Sequence, residues 1–233
     1  MGKFNLTKDH TKKVRDEFAT IRGTCIQAYA GLEQSLCFLL SVFAQTRLDV
    51  ASVIFFKNMS TDATRKMLDK LLKMKYLDKY TSFWNSLFDL LGQTNQRRNE
   101  IVHWNASIRL MPDGLCDIQL LPPAFSFFLT HPPDAMKIAL SKDDLLFFIG
   151  QCNFLSELCQ RFYLFLHPNV SSKWPEEQQK TWRDIFAQPV VFPPHSSHPL
   201  YQMTKGRESQ PPPSPESLPP STDPKSDPQE PPI

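Results

Sequence analysis

Apolar positions recur every three or four residues through most of the first 186 positions. That spacing lays a buried stripe along an α-helix. The pattern predicts a basic helix over about Thr7–Arg22 and, after Gly23, a long apolar one to about Gln45. A short helix follows over Asp49–Phe56. Ser60-Thr61-Asp62 then supplies an N-cap for Ala63–Lys75, since a seryl oxygen can accept from the orphaned amides of a first turn. From about Thr81, the stripe Phe83, Trp84, Leu87, Phe88, Leu90 and Leu91 runs into RRNEIVHW. There the period changes to two. Ile108 and Leu110 alternate with polar neighbours, Pro112-Asp113-Gly114 forms a turn, and Cys116, Ile118 and Leu120 alternate again, which predicts a β-hairpin. Ser141-Lys-Asp-Asp caps a long helix to about Leu166, ended by His167-Pro168. Trp174-Pro175 opens a last short one. The expected class is all-α: an antiparallel helical bundle with one small β-hairpin insertion.

Composition adds a boundary. A chain of 233 residues, 41% hydrophobic, can bury one substantial core. Beyond about Phe186 proline dominates, so the expected division is a helical domain over 1–187 and a Pro-rich, disordered tail over 188–233. The PxxP signature at Pro212–Pro215 is what such a tail produces by composition alone. A formal charge of +2 identifies no partner by itself, so any electrostatic argument rests on local clusters. Five cysteines, odd in number and without CxxC spacing, speak for reduced thiols, a cytoplasmic setting and no zinc site. The N-terminus lacks a secretory pattern and has Leu6 where a myristoylation signal wants Ser or Thr. Two long apolar stretches, Cys25–Ala44 and Leu145–Leu166, are interrupted by Glu33 and by Gln151, Asn153, Glu157 and Arg161. They read as core helices, and no membrane partner is expected.

Candidate chemistry concentrates in Arg97–Ser107. Asn99 and His103 are four apart and share a helical face, whereas Arg98 and His103 are five apart, about 140° around the axis. A guanidinium binds phosphate bidentately, an imidazole moves protons near neutral pH, and an amide can orient either. Glu33 is the second candidate. Its helical neighbours are apolar, so its carboxylate needs a partner: Arg98 or His103 in a shared cleft, or a structural base such as Arg22 or Arg65. The stretch Arg65, Lys66, Lys70, Lys73, Lys75 and Lys79 is read first as a solvated face, with RNA steering as the sharper alternative. No phosphate-cradling glycine loop, GxSxG elbow or zinc-type histidine pair occurs, and no cofactor or metal is expected.

RNEIVHW resembles the R-x4-6-H motif of the HEPN superfamily, including the polar residue directly after the arginine. The likeness extends over roughly Lys12 to His167 through the helices around the motif. Arg97 also satisfies the spacing; Arg98 is preferred because Asn99 then holds the polar position. The resemblance implies a metal-independent RNA endonuclease that works as a homodimer with one composite cleft. In it, His103 is general acid or base and Arg98 stabilises the charged transition state; from the residues themselves, Asn99 is expected to orient substrate or imidazole, and Glu33 either to orient Arg98 or His103 or to pair with a structural base. A toxin–antitoxin or phage-defence setting, with an antitoxin or other protein partner, belongs to the same implication. Many HEPN-like proteins keep the fold without cleaving RNA. The alternatives are therefore a non-catalytic helical interaction module and a nucleotide-binding module.

Overall fold

The computed structural model describes residues 8–57, 60–110, 116–123 and 138–201. These form α1 (Lys8–Phe43), α2 (Leu48–Lys57), α3 (Thr61–Tyr76), α4 (Thr81–His103), β1 (Asn105–Leu110), β2 (Cys116–Leu121), α5 (Lys142–Phe165), α6 (Pro168–Ser171) and α7 (Glu176–Ile185). The all-α class with a single hairpin is what the chain adopts. The expected turn at Pro112-Asp113-Gly114 and the proline-rich stretch after Tyr201 lie outside the described residues.

Gly23 does not divide the first two predicted helices; α1 is continuous across it. A mid-helix glycine costs about 1 kcal/mol relative to alanine, which is too little to stop a helix packed on both sides of it. Phe18, Cys25, Tyr29 and Leu32 are buried before and after the glycine and hold the helix straight through. The predicted caps do form. Ser60 accepts from Ala63 N at 3.3 Å, and Ser141 and Asp144 make a reciprocal capping box at the start of α5. Leu77, which closes α3, sits at φ 51°, a region that favours glycine.

The helix α4 runs against its long neighbours. Asp69 meets Trp84 and Arg65 lies over Phe88, which sets α3 antiparallel to α4. Tyr29 meets Asn95 while Phe43 meets Trp84, which sets α1 antiparallel to α4. α1 and α5 are parallel neighbours: Cys25 touches Leu145, Ser35 bonds Ser156 at 2.8 Å, and Phe38 meets Tyr163. The core between them is aromatic, with Phe83, Trp84, Phe148, Phe154, Phe162 and Phe186 all below 2% exposed. Part of α1 is long and apolar enough to cross a bilayer, and 56% of that window is buried inside the bundle.

The hairpin pairs Ile108 with Ile118 and Asn105 with Leu121. It is tied to the bundle by reciprocal backbone bonds between Leu120 and Leu140, each 2.9 Å. After α7 the packed chain continues past the expected boundary at 187. Val190 N donates to Ser86 Oγ, and Phe192 packs on Phe154. Pro194 and Leu200 are buried. The composition of this strap is proline-rich, but its few large apolar residues find the α5 surface, so the part through Tyr201 belongs to the domain.

Candidate functional site

The final two turns of α4 carry the motif, and Trp104 leaves the helix at an extended ψ of 149°. The end is held by Arg22 of α1, which donates from Nε to Ile101 O at 2.8 Å and from Nη2 to Val102 O and Trp104 O at 2.9 and 3.0 Å. A cation on terminal carbonyls satisfies orphan acceptors and the negative end of the helix dipole together. Arg22 is thereby committed to α4.

Arg98 is half-buried. Its guanidinium carbon sits 5.5 Å from the Tyr29 ring centre, and its Nη1 donates to Asn99 Oδ1 at 3.0 Å. Tyr29 is buried and donates to Asn95 Oδ1 at 3.0 Å. Glu33 lies one turn further along α1, half-buried. Burial pushes its carboxyl above the ordinary range, and the positive charge of Arg98 pulls it partly back. Burial likewise raises the Tyr29 phenol, with Glu33 adding to the rise and Arg98 opposing it. The two structural bases considered for Glu33 are engaged elsewhere. Arg22 holds α4, and Arg65 stacks over Phe88 at 4.3 Å, 3.9 Å from Asp62. Gly92 makes room for it, since a Cβ there would stand 2.8 Å from the Arg65 guanidinium. Arg98 is the cation that Glu33 senses.

His103 stands apart. It is exposed, four residues beyond the exposed Asn99, and no hydrogen bond or ring contact joins it to Arg98. One protomer thus brings together Arg98, Asn99 and Glu33, and leaves His103 on the outward face. Arg97 turns the other way and pairs with Glu100 at 2.9 Å, whereas among the described residues Arg98 makes no direct ion pair. Tyr29 and Asn95 join the cluster without having been singled out in the sequence. Their signal was helical spacing: Tyr29 lies four before Glu33, and Asn95 three before Arg98.

The basic stretch of α3 is largely spent locally. Lys66 and Lys73 pair with Asp62 and Asp69 at 2.7 and 2.9 Å, and Lys75 Nζ donates to Val42 O at 2.7 Å. That favours the solvated-face reading over RNA steering. No group of three or more His, Cys, Asp or Glu side chains gathers at metal-binding range among the described residues. No family model, curated protein or solved structure matches the chain.

Proposed function

We propose that the protein is a HEPN-like, metal-independent RNA endonuclease that acts as a homodimer. The observation that carries this reading is that the fold leaves both reactive groups of the motif unspent. His103 is exposed, and Arg98 is oriented by Tyr29 and Asn99 without being neutralised by a direct carboxylate contact. The two groups diverge on one helix, so a single protomer cannot close them on one phosphate, and a second copy supplies the missing half.

In this mechanism a ribose 2′-hydroxyl attacks its own phosphodiester. His103 accepts the hydroxyl proton as the O2′–P bond forms, and the partner's His103 protonates the departing 5′ oxygen as the P–O5′ bond breaks. The products are a 2′,3′-cyclic phosphate and a 5′-hydroxyl. Arg98 stabilises the charge that builds on the non-bridging oxygens. Tyr29 and Asn99 hold its guanidinium, and Glu33 acts on it through charge alone rather than by touching substrate.

The test is incubation of the full chain with mixed RNA in EDTA, beside Arg98→Ala and His103→Ala. Cyclic-phosphate ends are expected, with each variant slowed by about 10²–10⁴-fold. No cleavage, or cleavage indifferent to both substitutions, would overturn the reading. One surface favours a non-catalytic interaction module in that event: α2 exposes Val50, Val53 and Phe56 at helical spacing.

A further inference from the structure

A second cleft, of about 370 Å³, lies between α4 and α5 on the side opposite Arg98. Pockets for small ligands run from roughly 300 to 1,000 Å³. Gln93, Gln96, Arg97 and Glu100 line it from α4, and Phe147 and Gln151 from α5. Three features distinguish it from an ordinary groove. Gln151 is 9% exposed, the most enclosed polar residue of the lining, and its amide makes no hydrogen bond among the described residues. Its amide atoms are not themselves enclosed, so they stay open to a partner entering the cleft. The Glu100 Oε2 atom is fully enclosed and, although 2.9 Å from Arg97 Nη1, is not aligned to accept a hydrogen bond. Finally, Phe147 is 51% exposed at the cleft, its ring fixed by an edge contact with Phe192 of the strap at 5.1 Å.

The lining offers an in-plane donor and acceptor on one amide and an aromatic ring beside it, with the Arg97 guanidinium paired to Glu100 and the Asp144 carboxylate also on the wall. A nucleobase edge presents adjacent donors and acceptors, and its ring stacks on aromatics. The bidentate partner of a glutamine amide is the adenine N6/N7 edge. Adjacent residues of a helix point about 100° apart, so α4 sends Arg98 toward α1 and Arg97 toward α5. Between them its outward face carries Gln96, Asn99 and His103, all exposed. A strand crossing that face has the motif on one flank and this cleft on the other.

We infer that the α4/α5 cleft seats one unpaired adenine of a bound RNA, with Gln151 pairing to the base edge and Phe147 packing against the ring. For its ligand class this rests on the RNA reading above, though not on cleavage. The test uses fluorescein-labelled 2′-O-methyl octamers of adenosine, uridine or cytidine with the full chain, followed by anisotropy. These octamers have no free 2′-hydroxyl and so cannot undergo the proposed cleavage. The adenosine octamer is expected to bind about tenfold more tightly than the others. Gln151→Leu should bring the three within about twofold of each other, and Phe147→Ala, a change at an exposed ring, should weaken the adenosine octamer about tenfold. Absence of octamer binding, or an adenosine preference unchanged in both variants, overturns the inference. Cleavage of natural RNA with a base preference indifferent to Gln151 sinks the cleft alone. Gln151-dependent binding without any such cleavage sinks the nuclease alone.

Discussion

Glu33 is the residue whose behaviour is easiest to isolate. Its carboxyl titrates above the ordinary value of 4.5 because burial penalises the anion more than Arg98 rewards it. A carboxyl raised by folding holds its proton more tightly in the native state. Stability is therefore full below the unfolded value and falls as pH rises from there through the native one. Glu33→Gln lacks that loss. Urea unfolding of both proteins should coincide below about pH 4, and the variant should gain on the wild type as pH approaches neutrality. Curves that stay parallel from acid to neutral would mean that Glu33 is solvated in the native chain. The same substitution separates roles at the site: a structural carboxylate changes only the unfolding curve, whereas one that positions Arg98 also changes the pH profile of the proposed RNA cleavage.

At the scale of elements, the arginine that matters most to α4 belongs to α1. Three donations from Arg22 satisfy the last carbonyls of the motif helix. Arg22→Met keeps the packing stem but removes the cation, and should cost about 2 kcal/mol. Amide exchange at Ile101–Trp104 should speed up more than in the rest of α4; uniform exchange along the helix would show that the cap does no local work. This contact was not legible in the sequence, because it spans 79 to 82 residues and depends on how two helices cross. What could be read was local. Ser60 and Ser141 cap as their neighbours imply, and the change to period two found the hairpin. Gly23 misled for the complementary reason. Its helix-breaking tendency is local and weak, and it is overridden by burial of Phe18 and Cys25 against other elements. At the site, the motif marked Arg98 and Asn99, while Tyr29 and Asn95 became visible only once α1 lay beside α4.

For the whole molecule, the strap over 188–201 joins regions that the helices alone leave separate. It bonds to Ser86 at the start of α4, covers Phe154 in the middle of α5, and steadies Phe147 at the cleft. Its composition argued for disorder, because proline and polar residues cannot offset the entropy of ordering. Leu200, which is buried, and Phe192 and Val190, which are half-buried against the core, offset that cost; a fully buried side chain of this kind contributes about 1.5–3 kcal/mol and a half-buried one less. The ordering cost consumes most of this, so the net contribution of the strap is small and any single truncation within it is bounded by undocking of the whole segment. Leu200→Ala and a chain ended after Ala187 should therefore destabilise by similar amounts relative to a chain ended after Tyr201, about 2–3 kcal/mol in urea unfolding. Were the shorter chain far less stable than the point variant, the strap would be docked by more than these contacts. Were both unchanged, the strap would add nothing to the bundle, and the ring of Phe147 would have no fixed support at the cleft.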